Sequence, residues 1–170
     1  MNRNMQEKIE LEHEAAKLFM RLFEKQTGIH MRHIWHNEPQ QPDVSCYFDH
    51  QRLDLEIAHI YGSEEEARLI LGKSASLRTL EVLHELMNIP AEQRLLSALN
   101  AILESKSHKR YHSERVWLVL RNANPLWTRQ EIEDNRHLVS IPEAHPFEQI
   151  WVVGDMRGES GIVQLYPEPD

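Results

Sequence analysis

The apolar positions of this chain fall into periodic blocks separated by polar turns. Over residues 6–27, Ile9, Leu11, Ala15, Leu18, Phe19, Leu22 and Phe23 recur at roughly helical spacing, which predicts a helix stopped by Gly28. Residues 30–36 read as a strand, and Asn37-Glu38-Pro39-Gln40-Gln41-Pro42 as a turn. Residues 43–48 and 52–60 read as a strand pair joined through Asp49-His50-Gln51. In the second of these, Leu53, Leu55 and Ile57 point one way while Asp54, Glu56 and Ala58 point the other. Ser63-Glu64-Glu65-Glu66 has the composition of a helix start, and helices are expected over 64–71 and 76–88. Pro90 opens a long helix over about 90–111, with the stripe Leu95, Leu96, Leu99, Ile102 and Leu103.

The nearly continuous run Val116-Trp117-Leu118-Val119-Leu120 predicts a central strand covered on both faces. A short helix capped by Thr128 is expected over 128–135, then strands at Ile150–Val153 and Gly161–Tyr166, then a frayed Pro167–Asp170 tail. The order is helix, three strands, helices, strand, short helix, strand, strand. It implies an α/β fold in which a mixed sheet is flanked by helices.

Composition narrows the class. The 170 residues, 41% apolar and 27% charged, suit one domain, 1–170, with a sizeable core. No apolar run approaches the roughly 18 residues of a membrane span, and Met1–Lys8 lacks the apolar centre of a secretory signal. The single cysteine, Cys46, excludes an intrachain disulfide, and the whole profile suits the cytoplasm. A net charge of −8 argues against broad non-specific binding to polyanions, although basic residues gather in Lys106-Ser107-His108-Lys109-Arg110-Tyr111-His112. No glycine-rich dinucleotide or P-loop motif is present.

The chemistry concentrates in Pro42-Asp43 and Leu55-Glu56-Ile57-Ala58. Two acids on neighbouring strands of a hairpin can hold a hard divalent cation such as Mg²⁺, which prefers carboxylate oxygens and keeps several waters. Phosphodiester hydrolysis uses such a metal to activate water and to offset charge on the phosphate. The Pro42-Asp43 and Glu56 pattern lies after a Glu-bearing helix and before a helix–strand unit. In this it resembles the PD-(D/E)XK nuclease-like superfamily over roughly residues 8–121, with 122–170 as a C-terminal extension. The resemblance implies a three-layer restriction-endonuclease-like αβββαβ core with added C-terminal strands. It also implies Mg²⁺ (or Mn²⁺) as cofactor and DNA as substrate. Asp43 and Glu56 would be metal ligands, joined by a glutamate of the first helix: Glu14, with Glu10 as rival.

The chain departs from the family pattern at Ala58, where a lysine would stabilise charge in the transition state. Lys106 is the leading candidate for a migrated lysine, because it continues the Leu95, Leu99, Ile102 stripe at i+3 or i+4 spacing. Lys109 and Lys73 are the other candidates, and Gln93 resembles a glutamine found in some branches of the superfamily. His30, His33 and His36 lie on a predicted strand whose alternation separates His33 from the other two, so a zinc site is not expected there. His108 and His112 have i,i+4 spacing but lack a third ligand. Cys46 sits mid-strand with nothing to lower its pKa. The expected activity is metal-dependent hydrolysis of DNA by Asp43, Glu56 and Lys106. The alternative is a catalytically inactive nuclease-fold domain acting as an interaction or assembly module. In that case the region beyond Val116, with Trp151 and the last strand, would face a protein partner or a second copy. A third reading reuses the acids in a small-molecule or nucleotide pocket.

Overall fold

A computed structural model describes residues 3–37, 42–72 and 77–169. Helix α1 (Arg3–Thr27) leads into β1 (Met31–His36), β2 (Val44–Phe48) and β3 (Gln51–Ile60). Helices α2 (Glu64–Ile70), α3 (Leu77–Leu86) and α4 (Ala91–Ser107) follow, then β4 (Val116–Asn122), α5 (Arg129–Asp134), β5 (Gln149–Val153) and β6 (Ile162–Tyr166). The predicted elements are all present, with boundaries shifted by a few residues. The middle of the predicted 37–42 turn, residues 38–41, lies outside the described residues, as do Lys73 and Ser76.

The six strands form one mixed sheet in sequence order, β1-β2-β3-β4-β5-β6. β1, β2 and β3 are an antiparallel meander, β4 and β5 run parallel to β3, and β6 closes antiparallel on β5. Each face buries its own core. Ala15, Ala16, Phe19 and Phe23 of α1 pack on Leu53, Leu55, Ile57, Trp117 and Trp151. Leu95, Leu99 and Leu103 of α4 pack on Ile60, Leu118, Leu120 and Val152 on the other side. Trp151 is 4% exposed and lies against Phe19 and Phe23, so it forms no surface patch for a partner. No helix among the described residues is long and apolar enough to cross a membrane.

Two local features depart from the sequence pattern. β1 carries a bulge between Arg32 and Trp35, with His33 at φ 53°. The extra residue reverses the alternation beyond it, so His36 pairs with Val44 and turns toward α1. Helix α4 ends at Ser107, and the chain after it leaves the helical path. His108 and His112 therefore do not share a helix face, and Lys109 and Tyr111 are free to turn back over the sheet.

Candidate functional site

The hairpin register pairs Val44 with Leu55, which sets Asp43 directly across from Glu56 on the face covered by α4. Asp43 Oδ2 accepts the backbone N–H of Ile57 at 2.9 Å, which pins its carboxyl against β3. The two carboxyl groups lie within hydrogen-bonding reach of each other. Burial, then the hydrogen bond and charge of Glu56, push the Asp43 pKa up to about 8. Burial also resists ionisation of Glu56, but the bond shared with Asp43, the charge of Lys106 and the Tyr111 hydroxyl outweigh it, and its pKa falls below the ordinary carboxylate value. Near neutral pH the pair therefore holds one proton between two acids.

Three groups from α4 and the segment after it converge on one oxygen. Glu56 Oε2 accepts from the Tyr111 hydroxyl at 2.6 Å and from Lys106 Nζ at 3.4 Å, with Lys109 Nζ at 3.6 Å. Lys106 is mostly buried, and burial lowers its pKa despite the opposing pull of Glu56. Lys109 shifts the other way: burial opposes its charge, but its hydrogen bond to Lys106 and the charge of Glu56 raise its pKa. Tyr111 is held firmly protonated by burial and by Glu56.

The first helix supplies an acid, and it is not Glu14. Glu14 accepts from Arg121 Nη2 at 2.9 Å on the α1 face of β4, away from the acid pair. Glu10 is exposed and pairs within its own helix with Gln6. Glu12 is the buried one, at 5% exposure. It has His36 Nε2 at 3.6 Å and Lys8 Nζ at 3.8 Å, and it feels the charge of Glu56. Burial raises its pKa. Glu12 precedes Ala16, Phe19 and Phe23 by four, seven and eleven residues, so it lies in phase with the buried stripe, while Glu14 is half a turn away.

Asp43, Glu56 and Lys106 are thus brought together, with Lys109 and Tyr111 beside them and Glu12 within range of their charges. Gln93 is exposed in the first turn of α4, where the buried residue is its neighbour Arg94. Lys73 lies outside the described residues. Cys46 is buried, and burial and then Asp54 push its thiol up to about 12, so it is inert as a nucleophile at neutral pH. Tyr111 escaped the sequence reading because a single aromatic in a basic run carries no spacing signal; only the end of α4 at Ser107 aims it at Glu56.

Comparison of the chain with protein-family models, with curated proteins and with solved structures returned no match.

Among the described residues, no group of three or more His, Cys, Asp or Glu side chains is placed to hold a metal ion. That donor set does not suit zinc, which takes three or four protein ligands. It does suit Mg²⁺ or Mn²⁺, which bind through one or two carboxylates and complete their shell with water and phosphate oxygens. With Asp43 pushed up by burial and by Glu56, the two adjacent acids do not both ionise alone, and a divalent cation between them would favour ionisation of both.

Proposed function

We propose that this protein is a metal-dependent nuclease of the PD-(D/E)XK type, built on a three-layer αβββαβ core and hydrolysing DNA phosphodiester bonds. The observation that carries the reading is the Asp43–Glu56 pair, two carboxyls set across a hairpin from each other with Tyr111 and two lysines gathered on one Glu56 oxygen. Asp43 and Glu56 would hold Mg²⁺ or Mn²⁺, which supplies a Lewis acid for the phosphate and a water of lowered pKa.

The chain's own residues do the rest. Lys106 stands in for the lysine absent at Ala58, reaching the site from α4 instead of from β3. Lys106 and Lys109, both within ion-pair distance of Glu56, place positive charge where the phosphate would sit and offset the charge that develops on it. Tyr111 fixes the rotamer of Glu56 through its hydroxyl. Glu12, backed by His36, adds negative potential behind the pair and favours cation entry.

The test is cleavage of single-stranded, double-stranded and branched DNA with Mg²⁺ or Mn²⁺, comparing the wild type with Asp43→Asn. Metal-dependent cleavage that drops by roughly 10²-fold or more in the variant is expected. Absence of cleavage on every substrate by a folded wild type, or unchanged cleavage by Asp43→Asn, would overturn the reading.

A further inference from the structure

The face of the sheet that carries Asp43 and Glu56 is covered by α4 only from β3 onward. Toward the hairpin end, its side chains form successive cross-strand rows. The register places Arg32 opposite Tyr47 and Tyr47 opposite Arg52 in one row. The next row is Trp35, Ser45 and Asp54, and the one after it is Asp43 and Glu56. Three rings run together across β1 and β2: Trp35 lies 5.7 Å from Tyr47, and His33 lies 6.0 Å from Tyr47 on its other side. The Arg52 guanidinium sits 5.7 Å from the Trp35 ring centroid. Tyr47 is 41% exposed, and Arg32, His33 and Arg52 are exposed with it. Trp35 is half-buried, while Tyr47 and His33 are exposed, so the row is not accounted for as core.

Cavities flank the row on both sides. One of about 370 Å³ is lined by His30, Arg32, His33, Tyr47 and His50. The other, about 760 Å³, is lined by Arg52, His112 and Arg115 together with the acids Asp54, Glu114 and Glu148. Both are of ligand-pocket size. The arginines are held in place by acids at one edge, Arg32 by Glu24 and Arg52 by Asp54 at 3.1 Å. A guanidinium has five donors, so each retains donors for a further acceptor.

We propose that this open face of β1, β2 and β3 binds single-stranded nucleic acid. Bases stack on Tyr47 and Trp35, phosphates meet Arg32 and Arg52, and the strand leads toward Asp43 and Glu56. Tyr47 and Asp43 are four residues apart on one strand, about 13 Å, which a short oligonucleotide spans. The occupant follows from the chemistry displayed. Every unpaired base offers a π face to an aromatic ring, whereas bases inside a duplex are already stacked. The chain's net charge of −8 also argues against an affinity built mainly on phosphate neutralisation, which leaves a larger share to stacking. The proposal deepens the nuclease reading by naming its substrate as single-stranded, and only the strand's destination depends on that reading.

The test is fluorescence anisotropy in EDTA, where binding is measured without cleavage. The probes are labelled oligothymidylate and oligouridylate of about 12 nucleotides and a duplex of the same length. Binding of either single strand at least tenfold tighter than the duplex is expected. Tyr47→Ala should weaken it about tenfold and Tyr47→Phe by less than twofold, because the ring and not the hydroxyl does the stacking. With two phosphate contacts, the affinity should fall with salt at a log–log slope of only about −1.4. Tyr47 is exposed, so the Ala variant is expected to fold, and its circular dichroism spectrum checks this. Duplex binding as tight as single-strand binding, unchanged affinity in folded Tyr47→Ala, or no binding of any probe would overturn the proposal. Because no metal is present, such a failure is separate from a failure of metal-dependent cleavage.

Discussion

Glu66 and Glu56 are both buried acids on the α4 side of the molecule, and their surroundings differ in kind. Glu66 is 6% exposed and closed on all sides: Arg94 pairs with Oε1, Asn124 Nδ2 donates to the same oxygen at 3.3 Å, and the Ser63 N–H donates to Oε2 at 2.8 Å. It also completes the capping box of α2 with Ser63. One acid meets one buried base, and the lone pairs are used. Glu56 is as buried, at 3%, but it sits beside a second acid, Asp43, and the lysines that reach it lie at 3.4 and 3.6 Å instead of in close contact. In the first arrangement the carboxylate's charge is met within the chain, although Arg94 Nε has no partner; the second is left with a proton where a cation could sit. That contrast separates a carboxylate kept for the fold from one available for chemistry.

The largest expected effect falls on the closed cluster. Glu66→Ala leaves Arg94 buried without its counter-ion and removes the cap of α2, which should cost about 3–5 kcal/mol of unfolding free energy in urea denaturation. Replacing both partners, Glu66→Leu with Arg94→Met, should recover most of that loss, since a well-packed apolar pair substitutes for a buried ion pair. If the double variant is as unstable as the single one, the contrast with Glu56 is not one of charge pairing.

In the open cluster the two lysines should separate. Lys106→Met is expected to lower kcat of the proposed cleavage by roughly 10²–10³, the usual cost of losing a preorganised charge at the reacting centre. Lys109→Met, at a side chain 51% exposed, should cost about tenfold. Equal losses would mean that the pair acts only as bulk positive charge.

Much of this was readable from the chain, and the exceptions have physical causes. The alternation in 52–60 fixed which face Glu56 takes, because a period of two leaves no freedom once Leu53, Leu55 and Ile57 are buried. Lys106 was reachable because it continues a stripe that α4 does bury. Glu12 was not singled out because Ile9, Leu11 and Leu18 blur the helical arc; the arc actually buried runs through Glu12, Ala16, Phe19 and Phe23. The turn of His36 toward α1 depends on a bulge with His33 at positive φ, which histidine adopts without any local sequence mark. Lys109 and Tyr111 depend on where α4 stops. Helix ends without a glycine or proline are poorly marked in sequence.

The pH dependence of stability tests the shared proton. Asp43 has a folded pKa raised to about 8, far above its unfolded value, so the folded state holds a proton that the unfolded state has released. Stability contributed in this way is present at low pH and is lost as pH rises toward 8. The histidines oppose it only at lower pH. His59, lowered to about 4 by burial and then Arg121, gives stability that rises with pH until the unfolded imidazole has titrated near 6.5. Glu56, shifted down, contributes its change below the ordinary carboxylate value. Between pH 6.5 and 8 the wild type should therefore lose stability, by at most about 2 kcal/mol, while Asp43→Asn stays level. Mg²⁺ should reverse the loss at pH 8 in the wild type alone. Parallel curves for the two proteins would remove the shared proton, and with it the distinction between Glu56 and Glu66.

The smallest effect sharpens the boundary of the open cluster on the first helix. Glu12 is buried within range of the Glu56 charge, while the Glu14 side chain is 60% exposed and committed to Arg121 on the other face. Glu12→Gln keeps the shape and removes the negative potential behind the acid pair. It should raise the Mg²⁺ concentration needed for half-maximal cleavage by about tenfold, a coupling of about 1.4 kcal/mol. Glu14→Gln should change it by less than twofold, because its charge is largely screened and lies across the sheet from Asp43. Arg121 also retains its bonds to the Met156 carbonyl in that variant, so stability should fall by no more than about 1 kcal/mol. A Glu14 effect equal to that of Glu12 would mean that the two faces of the sheet communicate. The cluster would then have to be redrawn to include Arg121, which pairs with Glu14, and His59, which feels the charge of both.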